Sequence, residues 1–126
     1  MNDNEMKEIT AVLKALSDPN RLRIFSELMT GDSCNNELME RLDLRANLLS
    51  HHLGVLSKAG LITSRRDQID GRWIYYTVDR NAAAQWHQWF NTFFDPTRIQ
   101  SRTVCGPEGQ INFIPTEKLI NTIPNN

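Results

Sequence analysis

Residues 34–60, CNNELMERLDLRANLLSHHLGVLSKAG, decide the fold. They read as two helices, a short one over about 34–42 and, after the link Asp43-Leu44, a longer one reaching about 59. Leu49, Leu53 and Leu56 recur at four- and three-residue spacing, which lines them along one helical face. Gly60 suits the left-handed position just past a helix end. Asp32 or Ser33 is the expected cap of the short helix, because a side-chain oxygen there can accept an N–H that has no partner within the first turn. Two short helices joined by a tight turn, the second basic and bearing histidines, meet the requirements of a helix-turn-helix.

Working outward, residues 61–66 and 72–78 are rich in β-branched and aromatic side chains and flank Asp67-Gln68-Ile69-Asp70-Gly71, a hairpin with a charged tip. A hairpin directly after a helix-turn-helix is a wing, placed to lie along flanking backbone or minor groove. Upstream, Met6, Ile9, Val12, Leu13 and Leu16 give a first amphipathic helix over 5–16. Asp18-Pro19 starts a second, over about 19–30, with an acceptor before a proline whose missing N–H costs nothing, and Gly31 stops it. There Leu22, Ile24, Phe25 and Leu28 are expected inside, and Arg21, Arg23 and Glu27 in solvent. Over 81–94, Ala83, Trp86, Trp89, Phe90 and Phe93 form an aromatic face too large for one small protomer to cover, which points to a dimer interface completed by the first helix. Prolines at 96, 107, 115 and 124 and glycines at 106 and 109 predict an extended tail, with at most a helical turn over 117–120. The expected architecture is mainly α with a small β-hairpin, α-α-α-α-β-β-α. Residues 1–94 form the winged helix-turn-helix and dimerisation domain, and 95–126 a tail carrying Cys105.

Composition narrows the function. The 126 residues, 40% of them hydrophobic, suffice for one core. Three Trp, five Phe and 23% charged residues argue against disorder, and no apolar run approaches the roughly 18 residues of a membrane span. The start of the chain carries no basic segment followed by an apolar stretch, so a cytoplasmic protein without membrane partners is expected. Net charge is −1, yet residues 41–72 hold six Lys or Arg against three Asp, so the middle of the chain is basic. No Gly-rich phosphate loop or metal triad is present, and an enzyme would need Cys34 with His51 or His52 plus an orienting carboxylate; catalysis is not expected.

Four segments stand in order: Ala15-Leu16-Ser17-Asp18-Pro19-Asn20-Arg21-Leu22-Arg23-Ile24, Leu49-Ser50-His51-His52-Leu53-Gly54-Val55-Leu56, Ala59-Gly60-Leu61-Ile62 and Gly71-Arg72-Trp73-Ile74-Tyr75-Tyr76. Together they closely resemble the ArsR/SmtB family of sensor repressors, over about residues 9–94. The resemblance implies a homodimer bound to an inverted repeat of double-stranded operator DNA, released when an inducer binds.

Chemistry nominates the contacts. Arg45, Asn47, Ser50 and His51, early on the second helix, are candidates for base edges and nearby phosphates. Ser50 and His51 match the family motif, whereas Arg45-Ala46-Asn47 departs from it, so operator sequence does not carry over. Arg65, Arg66 and Arg72 of the wing are candidates for phosphates. His52, next to Leu53, is expected to bond internally rather than to ligate.

For sensing, family members that respond to soft metals or arsenite often carry Cys-Val-Cys followed by an acidic residue and Leu at the head of the third helix. Here the stretch is Cys34-Asn35-Asn36-Glu37-Leu38, with Asn36 in place of the second thiol. Cys105 is the other thiol of the chain. A thiol at a helix N-terminus is a plausible nucleophile or soft ligand. Cys34 and Cys105 are therefore the candidate ligands of a thiophilic inducer, trivalent arsenic or antimony or another soft metal ion, with no constitutive cofactor. The rival chemistry joins the same pair as a disulfide or through a short sulfur bridge. The zinc site that some relatives build on the last helix is not expected, since His87 is the one histidine over 79–96.

Overall fold

The computed structural model describes residues 1–102 and 104–110. In order it contains α1 (Asp3–Leu16), α2 (Pro19–Met29), β1 (Ser33–Cys34), α3 (Asn35–Leu42), α4 (Ala46–Lys58), β2 (Ile62–Arg66), β3 (Ile74–Val78) and α5 (Arg80–Phe93). Two 3-10 turns, Pro96–Arg98 and Pro107–Gln110, follow where the prolines predict an extended tail. Asp95 nucleates the first of them, its carboxylate accepting the N–H of Thr97 at 2.9 Å. The helical turn expected over 117–120 lies outside the described residues. The chain forms two compact units, Met1–Gln88 and a second beginning at Trp89.

Local chemistry sets the helix ends. Asn2 accepts the N–H of Glu5 at 2.7 Å, which starts α1 two residues before the apolar periodicity does. Asp18 accepts the N–H groups of Asn20 and Arg21 at 2.8 and 3.2 Å, with Pro19 in the first turn. At the end of α4, Gly60 takes φ +78°, and the N–H groups of Gly60 and Leu61 close back on Ser57 and Leu56 at 3.0 and 3.1 Å. This double closure satisfies carbonyls that the helix end would otherwise strand. Between α3 and α4 the left-handed residue is Asp43, φ +53°, and the Leu44 N–H returns to Met39.

The expected cap of α3 is corrected. Ser33 and Cys34 are not a free lead-in; they pair with Tyr76 and Tyr75 of β3, and Cys34 is the N-cap. The wing is thus part of a three-stranded antiparallel sheet ordered β1-β3-β2 rather than an isolated hairpin. A two-residue strand has no alternation for a sequence pattern to reveal.

In the first unit Ile9, Val12, Ala15, Ile24, Leu28, Leu38, Leu42, Leu49, Leu53, Leu56, Leu61, Ile62 and Trp86 are buried. Leu22, expected inside, is 52% exposed. Ile24 and Leu28 carry the stripe of α2, and Leu22 lies away from it. Arg21 is half-buried, whereas Arg23 is exposed as expected, and both guanidiniums are bonded. Arg21 donates to the Ala15 carbonyl at 2.6 Å, closing the α1–α2 corner, and Arg23 donates to the Leu42 carbonyl at 3.0 Å, tying α2 to the end of α3. Glu27 also bridges these helices, accepting from Arg41 at 2.9 Å.

Candidate nucleic-acid interface and the two thiols

Leu49, His52, Leu53 and Leu56 face the core from α4, which leaves its other face to solvent. Arg45 is the N-cap, its carbonyl accepting the Leu49 N–H at 2.9 Å, and its side chain is exposed. Asn47, Ser50 and His51 are exposed as well, at three- and four-residue spacing, so they share one stripe at the helix start. The four side chains nominated on this helix are therefore presented on the face that α2 and α3 do not cover.

His52 turns inward. The residue is 4% exposed, and Arg21 Nη1 lies 3.0 Å from Nδ1. Arginine can only donate, so Nδ1 accepts and the ring proton sits on Nε2, which faces Asp18 Oδ1 at 3.9 Å. Burial pushes the His52 pKa below its usual value, and Arg21 and His51 add to this against the opposing pull of Asp18. The neutral ring thus holds the middle of α4 against the Asp18 cap of α2. The same residue pattern suggests internal bonding by His52; what it does not reveal is that Arg21 supplies the bond.

On the wing, Arg65, Arg66 and Arg72 are all exposed. Arg65 lies over the Tyr75 ring at 4.7 Å, Arg66 donates to the Gly71 carbonyl at 2.6 Å, and Arg72 forks onto Asp70, with Nη2 to Oδ2 at 2.8 Å. Part of the wing's charge is therefore spent within the wing. Asp67, which the sequence shows only as an acid on a basic hairpin, is a hub that accepts two N–H groups and the Tyr75 hydroxyl. These bonds hold its carboxyl below the usual range, the Asp70 N–H contributing most.

The two thiols occupy different settings. Cys34 is 3% exposed, buried at the junction of β1 and α3. Its N–H donates to Glu37 Oε1 at 3.2 Å in a capping box, and Glu37 is held below its usual pKa by that N–H first, then by the thiol and Arg41. The neighbouring Asn35 accepts the Ile74 N–H at 3.1 Å, a second tie between the head of α3 and β3. Cys105 is exposed and belongs to the second unit; neither cysteine is in a disulfide. Among the described residues no three His, Cys, Asp or Glu side chains gather as a metal site.

The last helix also divides between the units. Trp86 is buried within the first, filling that unit's own core rather than an open face. In the second, Trp89 stacks on Phe93 at 4.6 Å and Phe90 on Phe94 at 6.1 Å, with Phe93 and Phe94 exposed. Among the described residues no helix is long and apolar enough to cross a membrane.

A two-helix reader with one polar, cationic stripe outward, followed at once by an arginine-bearing wing, defines a winged-helix DNA-binding regulator. Residues 18–64 match the model of the arsR family of bacterial regulatory proteins. The chain is 31% identical over 84 residues to the transcriptional repressor SdpR of Bacillus subtilis (strain 168), covering 67% of this chain and 90% of that protein. Over 61 residues it is 39% identical to the arsenical resistance operon repressor of Staphylococcus xylosus, covering 48% of this chain and 59% of that one. The crystal structure of the transcriptional repressor BigR from Xylella fastidiosa superposes with a TM-score of 0.55 at 31% identity, over 75% of this chain and 97% of that one. The chain belongs to the arsR family and is a transcriptional regulator.

Proposed function

We propose that the protein is a dimeric repressor that grips an inverted-repeat operator with α4 and the wing and releases it when an inducer engages Cys34 and Cys105. The exposed stripe of Arg45, Asn47, Ser50 and His51 on a helix whose other face is locked into the core carries the DNA-binding half of this reading. The exposed Phe93 and Phe94 offer apolar surface for a second copy, and a two-fold dimer presents two α4 helices to two half-sites about one helical turn apart.

The position of Cys34 supports the sensing half. Its sulfur sits where the wing's sheet meets the N-cap of α3, and α3 packs on α4. Drawing this buried thiol into a bond with another atom loosens β1 from β3 and uncaps α3 in one event. Half-site spacing tolerates little such movement. The inducer class we propose first is trivalent arsenic or antimony, or another soft metal ion; likeness to an arsenical resistance operon repressor favours it. A second chemistry is favoured by the count of thiols. Two thiols suffice for one disulfide, formed with loss of two protons and two electrons to an oxidant, but fall one short of a three-sulfur metalloid site.

The test is an anisotropy titration of the reduced protein on DNA from upstream of its own gene, with arsenite, antimonite, cadmium, zinc, an oxidant or a polysulfide added in turn. Release by one class, resisted by both Cys34→Ser and Cys105→Ser, is the expected result and names the chemistry. Binding that none of them relieves would leave a repressor and remove the thiol sensor.

A further inference from the structure

The loop between β2 and β3 is wired rather than slack. Asp67 Oδ1 accepts the N–H groups of Ile69 and Asp70 at 2.8 and 2.9 Å, while Oδ2 accepts the Tyr75 hydroxyl at 2.7 Å. Across the neck, the Asp67 N–H donates to the Trp73 carbonyl at 2.8 Å and the Trp73 N–H to the Asp70 carbonyl at 3.1 Å. The Asp70 carboxylate accepts the Arg72 N–H at 3.1 Å as well as its guanidinium, and Arg66 closes on Gly71. Both acids of the tip are thus consumed by the loop itself.

What the scaffold leaves facing outward is Gln68 and Ile69. Ile69 is 98% exposed, and among the described residues the Gln68 amide has no hydrogen-bond partner. Single exposed aliphatic side chains are ordinary on protein surfaces. This one differs because its own N–H is fixed at the apex of a bonded turn, beside a free amide, with Arg65 and Arg66 at the end of β2 and Arg72 in the loop before β3. An apolar tip, an amide and cationic shoulders match the minor groove at an A·T step. The phosphates that border the groove take the arginines whatever the sequence. The groove edge offers only acceptors to an amide, and it lacks the guanine amino group that would block an apolar wedge.

We infer that Gln68 and Ile69 form a minor-groove reading tip, with Ile69 lodged against A·T steps flanking the half-site that α4 reads and Asp67 as the positioning residue that aims it. The inference rests on the operator-binding reading above. It assigns flank specificity to an uncharged pair and leaves the wing arginines as sequence-blind phosphate contacts.

The test is selection from a randomised duplex pool by the full chain and by Ile69→Ser, Ile69→Leu and Asp67→Ala, followed by affinity and salt titrations on the selected duplexes. The wild type should enrich A·T steps at a fixed offset outside the half-site. Inosine·C there, which presents an A·T-like minor groove, should bind like A·T, whereas G·C should bind about tenfold more weakly. Ile69→Ser should lose both that factor and the flank preference while keeping its thermal unfolding profile and its salt slope, because no phosphate contact is removed. Ile69→Leu should restore the preference, and Asp67→Ala should lose it with Ile69 intact. Selection of a half-site without flank preference, or an Ile69→Ser protein that keeps preference and affinity, would overturn the inference. Failure of the wild type to enrich any sequence would overturn the operator-binding reading itself.

Discussion

His52 neutral against Arg21 is the residue-scale feature with the clearest consequence for pH. The fold stabilises the uncharged ring, so its contribution is complete above about 6.5, the ordinary value for an unfolded imidazole, and is lost as pH falls through the lowered folded value. The Asp18 carboxyl works in the same direction at lower pH. Its partial burial raises its pKa, but the N–H groups of Arg21 and Asn20 outweigh this, so its share fades as pH drops below 3.8. Urea unfolding should accordingly show a less stable protein at pH 5 than at pH 7.5, with a smaller difference in His52→Gln; an equal difference in that variant would place the titrating group elsewhere. Charge on the wing gives a second expectation at this scale. Asp70→Asn keeps an acceptor for the Arg72 N–H but frees the guanidinium, so DNA should bind more tightly and with a steeper salt dependence. Arg65→Ala, which removes a cation not paired to an acid, should lower the slope of log affinity against log salt by about one.

At the scale of elements, glycines in and after α4 make opposite predictions that a single urea series can read. Gly60 holds φ +78° with open space around its Cα, so Gly60→Ala meets no clash and should lose about 1 kcal/mol from backbone strain alone. Gly54 lies in the helix interior, also with open space, and Gly54→Ala should gain roughly 0.5–1 kcal/mol. The amphipathic helices, the Asp18-Pro19 start and the Gly60 stop were legible because periodicity and capping are local chemistry. The strand β1 was not, since Ser33 and Cys34 are specified by partners more than forty residues away rather than by their neighbours. Leu22 was misplaced for a related reason: Arg21 competes for the inner side of the α1–α2 corner because the Ala15 carbonyl and His52 are there to receive it.

For the whole molecule, the outward placement of Arg45, Asn47, Ser50, His51 and the three wing arginines follows from helical spacing and hairpin position, and the sequence conveys both. The setting of the two thiols proposed as sensors is a different matter. Cys34 reads in isolation as a helix-head thiol open to reagents, and only the pairing of β1 with β3 reveals that it is sealed into the junction between reader and wing. Reaction at that sulfur should therefore be slower than at Cys105 in the folded protein and should speed up with added urea, which timed alkylation by iodoacetamide followed by peptide mass analysis would measure; equal rates in buffer would mean that the junction opens freely. The most direct test of the central claim is a competition titration at physiological salt between duplex from upstream of the protein's own gene and an unrelated duplex of equal length. A sequence-reading α4 predicts a preference of at least about 10³-fold, reduced sharply in a variant carrying both Asn47→Ala and His51→Ala. Equal affinity for the two duplexes, or a preference that survives those substitutions, would contradict it.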